Sequence, residues 1–293
     1  MKHIQLIIVC TALMLGCKSV KITEGKEYQM NDYVAISQQF SSMETPYVID
    51  LKKGNKRLVF IGCSHTRDTT SSEFTIIEKY FNDLQPQVTF NEGGQIPAAI
   101  SFQSRNDAIT RKGETGLLKY LSDKASIQML NGDISDSLEF ALTLKEHPRD
   151  DLFLYYMMER FVVPYLNNAY GNKPFEELYS QVMEAWFIKP GFPLSEDEKR
   201  ITYFKQLYQK KIGRPFVLEV NEDNFEKFDY INGGDCKFCA IGRTSKKVRD
   251  IALLEKIDKA FDRYDRVMVT FGHGHALAIE PALKQILEKT ENK

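Results

Sequence analysis

The chain has 293 residues, 43% of them hydrophobic and 27% charged, with 39 Lys and Arg against 40 Asp and Glu. That composition supplies a sizeable core and excludes collagenous, disordered and disulfide-dense classes. A formal charge of −1, with only short basic runs such as Lys246-Lys247, provides no basic stripe for phosphates, so no nucleic acid partner is expected.

The start of the chain reads as a processing signal. Lys2 and His3 precede an apolar run from Ile4 to Gly16, too short for a bilayer span, which needs roughly 20 residues. Leu13-Met14-Leu15-Gly16-Cys17 resembles a bacterial lipobox, which implies cleavage before Cys17 and a lipid on that cysteine; a plain secretory signal cut elsewhere and an uncleaved anchor are the alternatives. The expected division is a signal peptide over 1–16, a polar tether over 17–45, and a single α/β domain over 46–290. The expected location is the cell envelope, anchored through the N-terminal lipid. Lys18, where some bacteria place an Asp to hold lipoproteins at the inner membrane, favours the outer membrane.

Strands and helices then alternate. Leu58-Val59-Phe60-Ile61 is the continuous apolar run of a strand covered on both faces, and it leads into Gly62-Cys63-Ser64-His65. Thr70-Ser71-Ser72-Glu73 has capping-box spacing before a helix whose stripe is Phe74, Ile77, Tyr80, Phe81 and Leu84. Pro86 ends that helix. Gln87 to Phe90 is a second strand leading to Asn91-Glu92-Gly93-Gly94, and Ser126 to Leu130 a third leading to Asn131-Gly132-Asp133. Arg214 to Asn221 is a fourth candidate. A helix carrying Ile251, Leu254, Ile257 and Phe261 precedes the fifth, Arg266 to Phe271, which ends in Gly272-His273-Gly274-His275. The pattern predicts an α/β fold with a mostly parallel central sheet flanked by helices. Over about 137–212 a helical insertion is expected, with helices at 138–145, 151–166, 175–187 and 196–211; its aromatics, including Trp186, suit helix packing or a lid over a pocket.

In parallel sheets ligands bind beyond the carboxyl ends of the strands. Those ends carry His65, Glu92, Asp133, Asn221, His273 and His275, with Asp133 and Asn221 as pocket residues. Two imidazoles and a carboxylate suit a divalent metal with open positions, and Glu92 can equally serve as ligand or general base. His147, before Pro148, is expected to be solvated. Cys236 and Cys239 form a C-x-x-C that reads as a disulfide, as free thiols, or as a metal or redox pair, in that order. Cys63 is not expected to be a nucleophile, because no orienting motif accompanies it.

Gly62-Cys63-Ser64-His65, Pro86 to Glu92 and Gly272-His273-Gly274-His275 together resemble the superfamily of TraB, Tiki and ChaN proteins and the erythromycin esterases, which share two distant Gly-x-x-His motifs and an early Glu. Arg249-Asp250 resembles a further feature of the TraB and Tiki branch. The likeness spans about 60–94 and 249–285. It implies an active site of His65, Glu92 and His275, with Arg249 as an electrostatic partner, and His273 as an alternative histidine. The Tiki branch implies a metal-dependent peptidase using Mn, Co or Zn; the esterase branch implies a histidine base without metal; ChaN implies haem binding at a lipoprotein surface. Across these branches the partner is a peptide or small-molecule substrate, or haem.

Overall fold

The structure is a computed structural model that describes residues 27–40 and 42–289. The signal segment and Cys17 lie outside the described residues. Among the described residues no helix is long and apolar enough to cross a membrane.

The fold is α/β. Five strands, β1 (Tyr47–Lys53), β2 (Lys56–Cys63), β3 (Val88–Asn91), β4 (Gln128–Asn131) and β5 (Arg266–Gly272), form one sheet in the order β1-β2-β5-β3-β4. β1 pairs antiparallel with β2, and the other neighbours are parallel. The carboxyl ends of β2, β5, β3 and β4 therefore open on one edge of the sheet.

The apolar runs are continuous because both faces are covered. Leu58 and Phe60 of β2 join Val267, Val269 and Phe271 of β5 in one core cluster, backed by α9 (Lys237–Ala260) and α10 (His273–Lys289). Val59, Ile61 and Met268 point the other way, into a second cluster under α2 (Ser72–Leu84) and α3 (Arg105–Lys124). Each such fully buried side chain contributes roughly 1.5–3 kcal/mol relative to an exposed one. The N-cap of α2 is Ser71, whose side chain accepts from the Glu73 amide. Glu73 does not close a capping box; its Oε2 accepts instead from the Ser64 amide and hydroxyl, each at 2.8 Å, and so fixes the turn after β2.

The middle of the chain is helical, with α4 (Asp136–Thr143), α5 (Arg149–Met157), α6 (Val163–Leu166), α7 (Phe175–Met183) and α8 (Ile201–Ile212). Their aromatics form a third core of their own. A π-helical turn, Met158–Val162, joins α5 to α6. Pro164 sits at its exit, lacks an N–H and disfavours regular α geometry, and the Arg160 carbonyl accepts from the Tyr170 hydroxyl at 3.3 Å.

Two expectations are corrected. Arg214 to Asn221 is not a strand: Phe216 and Leu218 pack on the helical core, while Val217 and Val220 are exposed. Asn221 thus ends no strand; its Oδ1 accepts from the Asn224 amide at 2.9 Å in a turn. Residues 33–40, expected to be part of the tether, form α1 (Tyr33–Phe40), and Tyr33 and Ile36 are buried with residues of α10.

Candidate functional site

The parallel sheet brings His65, Glu92, Asp133 and His275 to one edge, and α9 adds Arg249. Glu92, immediately after β3, is the hub. Its Oε1 accepts from Arg249 Nη2 at 2.6 Å and its Oε2 from the Gly272 amide at 2.6 Å. His65 Nε2 lies 3.5 Å from Oε2, and His275 Nε2 lies 3.7 Å from Oε1. Arg249 also makes a two-pronged contact with Asp133, Nε to Oδ1 at 2.9 Å and Nη2 to Oδ2 at 2.6 Å.

Each of these imidazoles has its other nitrogen held by a carboxylate. His65 Nδ1 donates to Glu114 Oε1 at 2.6 Å, and His275 Nδ1 to Asp250 Oδ1 at 2.5 Å. Tyr33 of α1 donates its hydroxyl to Asp250 Oδ2 at 2.6 Å. A carboxylate on Nδ1 fixes ring orientation and tautomer and leaves Nε2 free to work.

Backbone conformation is part of the construction. His65 has φ 60°, a left-handed conformation that costs a non-glycine residue free energy and persists only where surroundings hold it. Gly113, with φ 55°, interrupts α3, and a Cβ there would stand 2.9 Å from the Thr66 carbonyl oxygen. The break lets α3 approach the loop after β2 and present Glu114 to His65. A Cβ on Gly272 would stand 2.8 Å from His65 Nε2, so a side chain there would push the imidazole off its place beside Glu92.

The electrostatics follow from crowded carboxylates. Burial pushes the Glu92 carboxyl up, but Arg249, His275 and His65 outweigh it and hold Glu92 well below its ordinary value. Burial also opposes ionisation of Asp133, and Arg249 again prevails. Desolvation lowers the His65 pKa, yet the hydrogen bond to Glu114 and the charges of Glu92 and Glu114 raise it to about 9. His65 is therefore an imidazolium at neutral pH in the metal-free protein. We expect its ring carbon resonances to titrate near pH 9 by NMR in chelator-treated protein, and Glu114→Gln to move that midpoint down by at least one pH unit. A wild-type midpoint near 6.5 would contradict this account of the loop.

Other sequence-marked residues divide clearly. His273 turns its Nδ1 to the Cys63 carbonyl at 3.3 Å and its ring against Phe40. Cys63 is fully buried, and burial followed by the charges of Glu114, Glu73 and Glu92 raises its thiol, which suits a packing residue. His147 is part-buried and hydrogen-bonded to the Thr244 hydroxyl at 2.8 Å. Cys236 and Cys239 are joined by a disulfide. Asn221 lines a separate cavity with Arg214 and Asp223.

Glu92 and the two glycines after it stand between two cavities. One, of about 340 Å³, lies on the side of His65 and Glu114. The other, of about 720 Å³, extends from Arg249 and Asp133 to the helical insertion at Arg160 and Trp186.

The donor chemistry suits a divalent transition ion. His275 Nε2 is buried without a hydrogen-bond partner, Glu114 and Asp250 hold the two histidines, and Glu92 and Asp133 share one arginine. Among the described residues, however, no group of three His, Cys, Asp or Glu stands at ligand spacing, and Arg249 already engages Glu92. The chain matches no family model, no curated protein and no solved structure. The likeness to the TraB, Tiki, ChaN and erythromycin esterase superfamily accordingly rests on the motif residues themselves.

Proposed function

We propose that the chain is an extracytoplasmic, lipid-anchored hydrolase working from His65, Glu92, Arg249 and His275, in its leading form a metal-dependent peptidase. The observation that carries this reading is the pair of imidazoles, each oriented by a carboxylate on Nδ1, with their Nε2 atoms on either side of one carboxylate. His65, Glu92 and His275 are the residues that would hold the ion. A bound Mn, Co or Zn ion would supply Lewis acidity at the scissile carbonyl. The Gly272 amide and Arg249 fix the Glu92 carboxylate, and Arg249 offers positive charge beside any oxyanion that develops there.

A metal-independent version is favoured by one contact. Arg249 Nη2 on Glu92 Oε1 at 2.6 Å already neutralises the carboxylate, leaving a histidine Nε2 to move the proton, as in an esterase. Haem is the less suited ligand, because five carboxylates line the larger cavity, where they would repel its propionates, and no histidine, cysteine, methionine or tyrosine among the described residues lines it to hold the iron.

Elemental analysis separates the versions. In the peptidase version, protein purified without chelating resin carries near-stoichiometric transition metal, and His65→Ala and His275→Ala both lose it. Absence of metal after soaking with manganese, cobalt and zinc would overturn that version. A Soret band on haem titration would move the assignment to haem binding.

A further inference from the structure

The chain has one tryptophan, Trp186. It stands on the wall of the larger cavity with 38% of its surface exposed, unusual for the largest apolar side chain of a protein. It sits in a π-helical turn, Glu184–Ile188, and the facing wall comes from the other π-helical turn, Met158–Val162, which supplies Glu159 and Arg160. Such turns occur often at functional sites because the wider backbone re-aims its side chains. Both π-helical turns of the insertion therefore serve this cavity.

The wall is built rather than incidental. The Arg160 side chain is 8% exposed and pairs with Asp136 at 2.8 Å and Glu139 at 2.7 Å. Its guanidinium lies 4.4 Å from the Tyr156 ring centroid and 5.7 Å from that of Trp186. Glu139 also accepts from the Ser245 hydroxyl at 2.5 Å. The carboxylates lining the cavity are Glu92, Asp133, Asp136, Glu139 and Glu159, against the cations Arg160, Lys189 and Arg249. Lys246, 3.5 Å from Glu159, adds a fourth cation behind the wall and leaves the carboxylates one in excess; burial more than the neighbouring charges raises the Asp136 carboxyl against the pull of Arg160. At the far end the same cavity reaches Glu92 and Arg249.

We propose that this cavity is the specificity pocket of the site and takes the basic side chain of a peptide substrate, a lysine or arginine, with its cation on the outer oxygen of Asp136, whose side chain is 43% exposed and gives only Oδ1 to Arg160, and with its aliphatic stem along the exposed part of Trp186. An exposed indole face and surplus carboxylate together attract an ammonium or guanidinium and do not reward an acidic or neutral chain of the same length. The proposal rests on the peptide-hydrolase reading for the identity of the ligand, and on the cavity alone for its charge.

Because Trp186 is the only tryptophan, its emission reports the pocket directly. The probes are acetyl-Ala-Lys-Ala-amide, its arginine analogue, and analogues with norleucine or glutamate at the centre. They are titrated into the full chain in detergent, as wild type and as His65→Ala to stop turnover. The lysine and arginine peptides are expected to give a saturable change that the norleucine and glutamate peptides do not. Asp136→Asn is expected to weaken lysine peptide binding about fivefold, and Lys189→Gln to tighten it about twofold. Equal responses to lysine and norleucine, no response to any peptide, or no effect of either substitution in protein with an unchanged melting profile would overturn the pocket. Binding of basic peptides without cleavage would sustain the pocket and defeat the hydrolase reading. Cleavage indifferent to the basic residue would do the reverse.

Discussion

Gly62→Ala is expected to destabilise the protein by about 3 kcal/mol, and the reason is steric alone. Gly62 sits near the end of β2, where the first turn of α10 crosses it. A Cβ there would stand 2.8 Å from the His273 Cα and 2.9 Å from the Ala276 Cβ. Neither neighbour is the free end of a flexible side chain, so strand and helix must separate. The melting temperature should fall by roughly 6–12 °C. The same displacement moves His275 away from Glu92, so any turnover should fall as well. A loss under 1 kcal/mol in urea unfolding would show that α10 does not lie on β2 as described.

Arg249→Ala is the second large effect. Glu92 and Asp133 have side chains only 13% and 11% exposed, and both depend on this guanidinium. Removing it strands two carboxylates and is expected to cost about 3 kcal/mol. Arg249→Lys should recover part of that stability, since a point charge cannot reproduce the forked contact with Asp133. The pH dependence has a definite sign. Both carboxyls are depressed in the folded protein, so their stabilisation is complete above the unfolded values near 4 and is lost as pH falls through the folded ones. The deficit of Arg249→Ala should therefore be full above about pH 5 and shrink below about pH 4. A deficit independent of pH would mean that Arg249 acts through packing alone.

The sheet was legible where burial on both faces wrote an unbroken apolar run, as in β2 and β5, and where a glycine turn closed the strand. β1 is hard to read because it is a half-exposed edge strand that carries Asp50 and ends in Lys52-Lys53; its signal is the turn Gly54-Asn55 at the head of the hairpin. The run at 214–221 misled because β-branched residues suit a strand, whereas here Phe216 and Leu218 serve the helical core instead. α3 is hard to read because Gly113 breaks it and Gly116 is a weak helix former, and with it goes Glu114, the partner of His65. Strand ends gave His65, Glu92, Asp133 and His275, since in a parallel sheet those ends converge. The residues that orient the histidines were not legible, because Glu114 and Tyr33 come from elements packed on the sheet from distant parts of the chain. Asp250 stood next to Arg249 without any sign in the spacing that it would meet His275.

The proposed hydrolase needs His65, Glu92 and His275 to act as one centre. Its most direct test is the release of new amino termini from a mixed peptide library, supplied with manganese, cobalt or zinc and also metal-free, by wild type, His65→Ala and Glu92→Gln in parallel. Wild type is expected to turn over, with a loss of at least about a thousandfold in both variants and with circular dichroism and melting profiles retained. Wild-type turnover undiminished in both variants would contradict it.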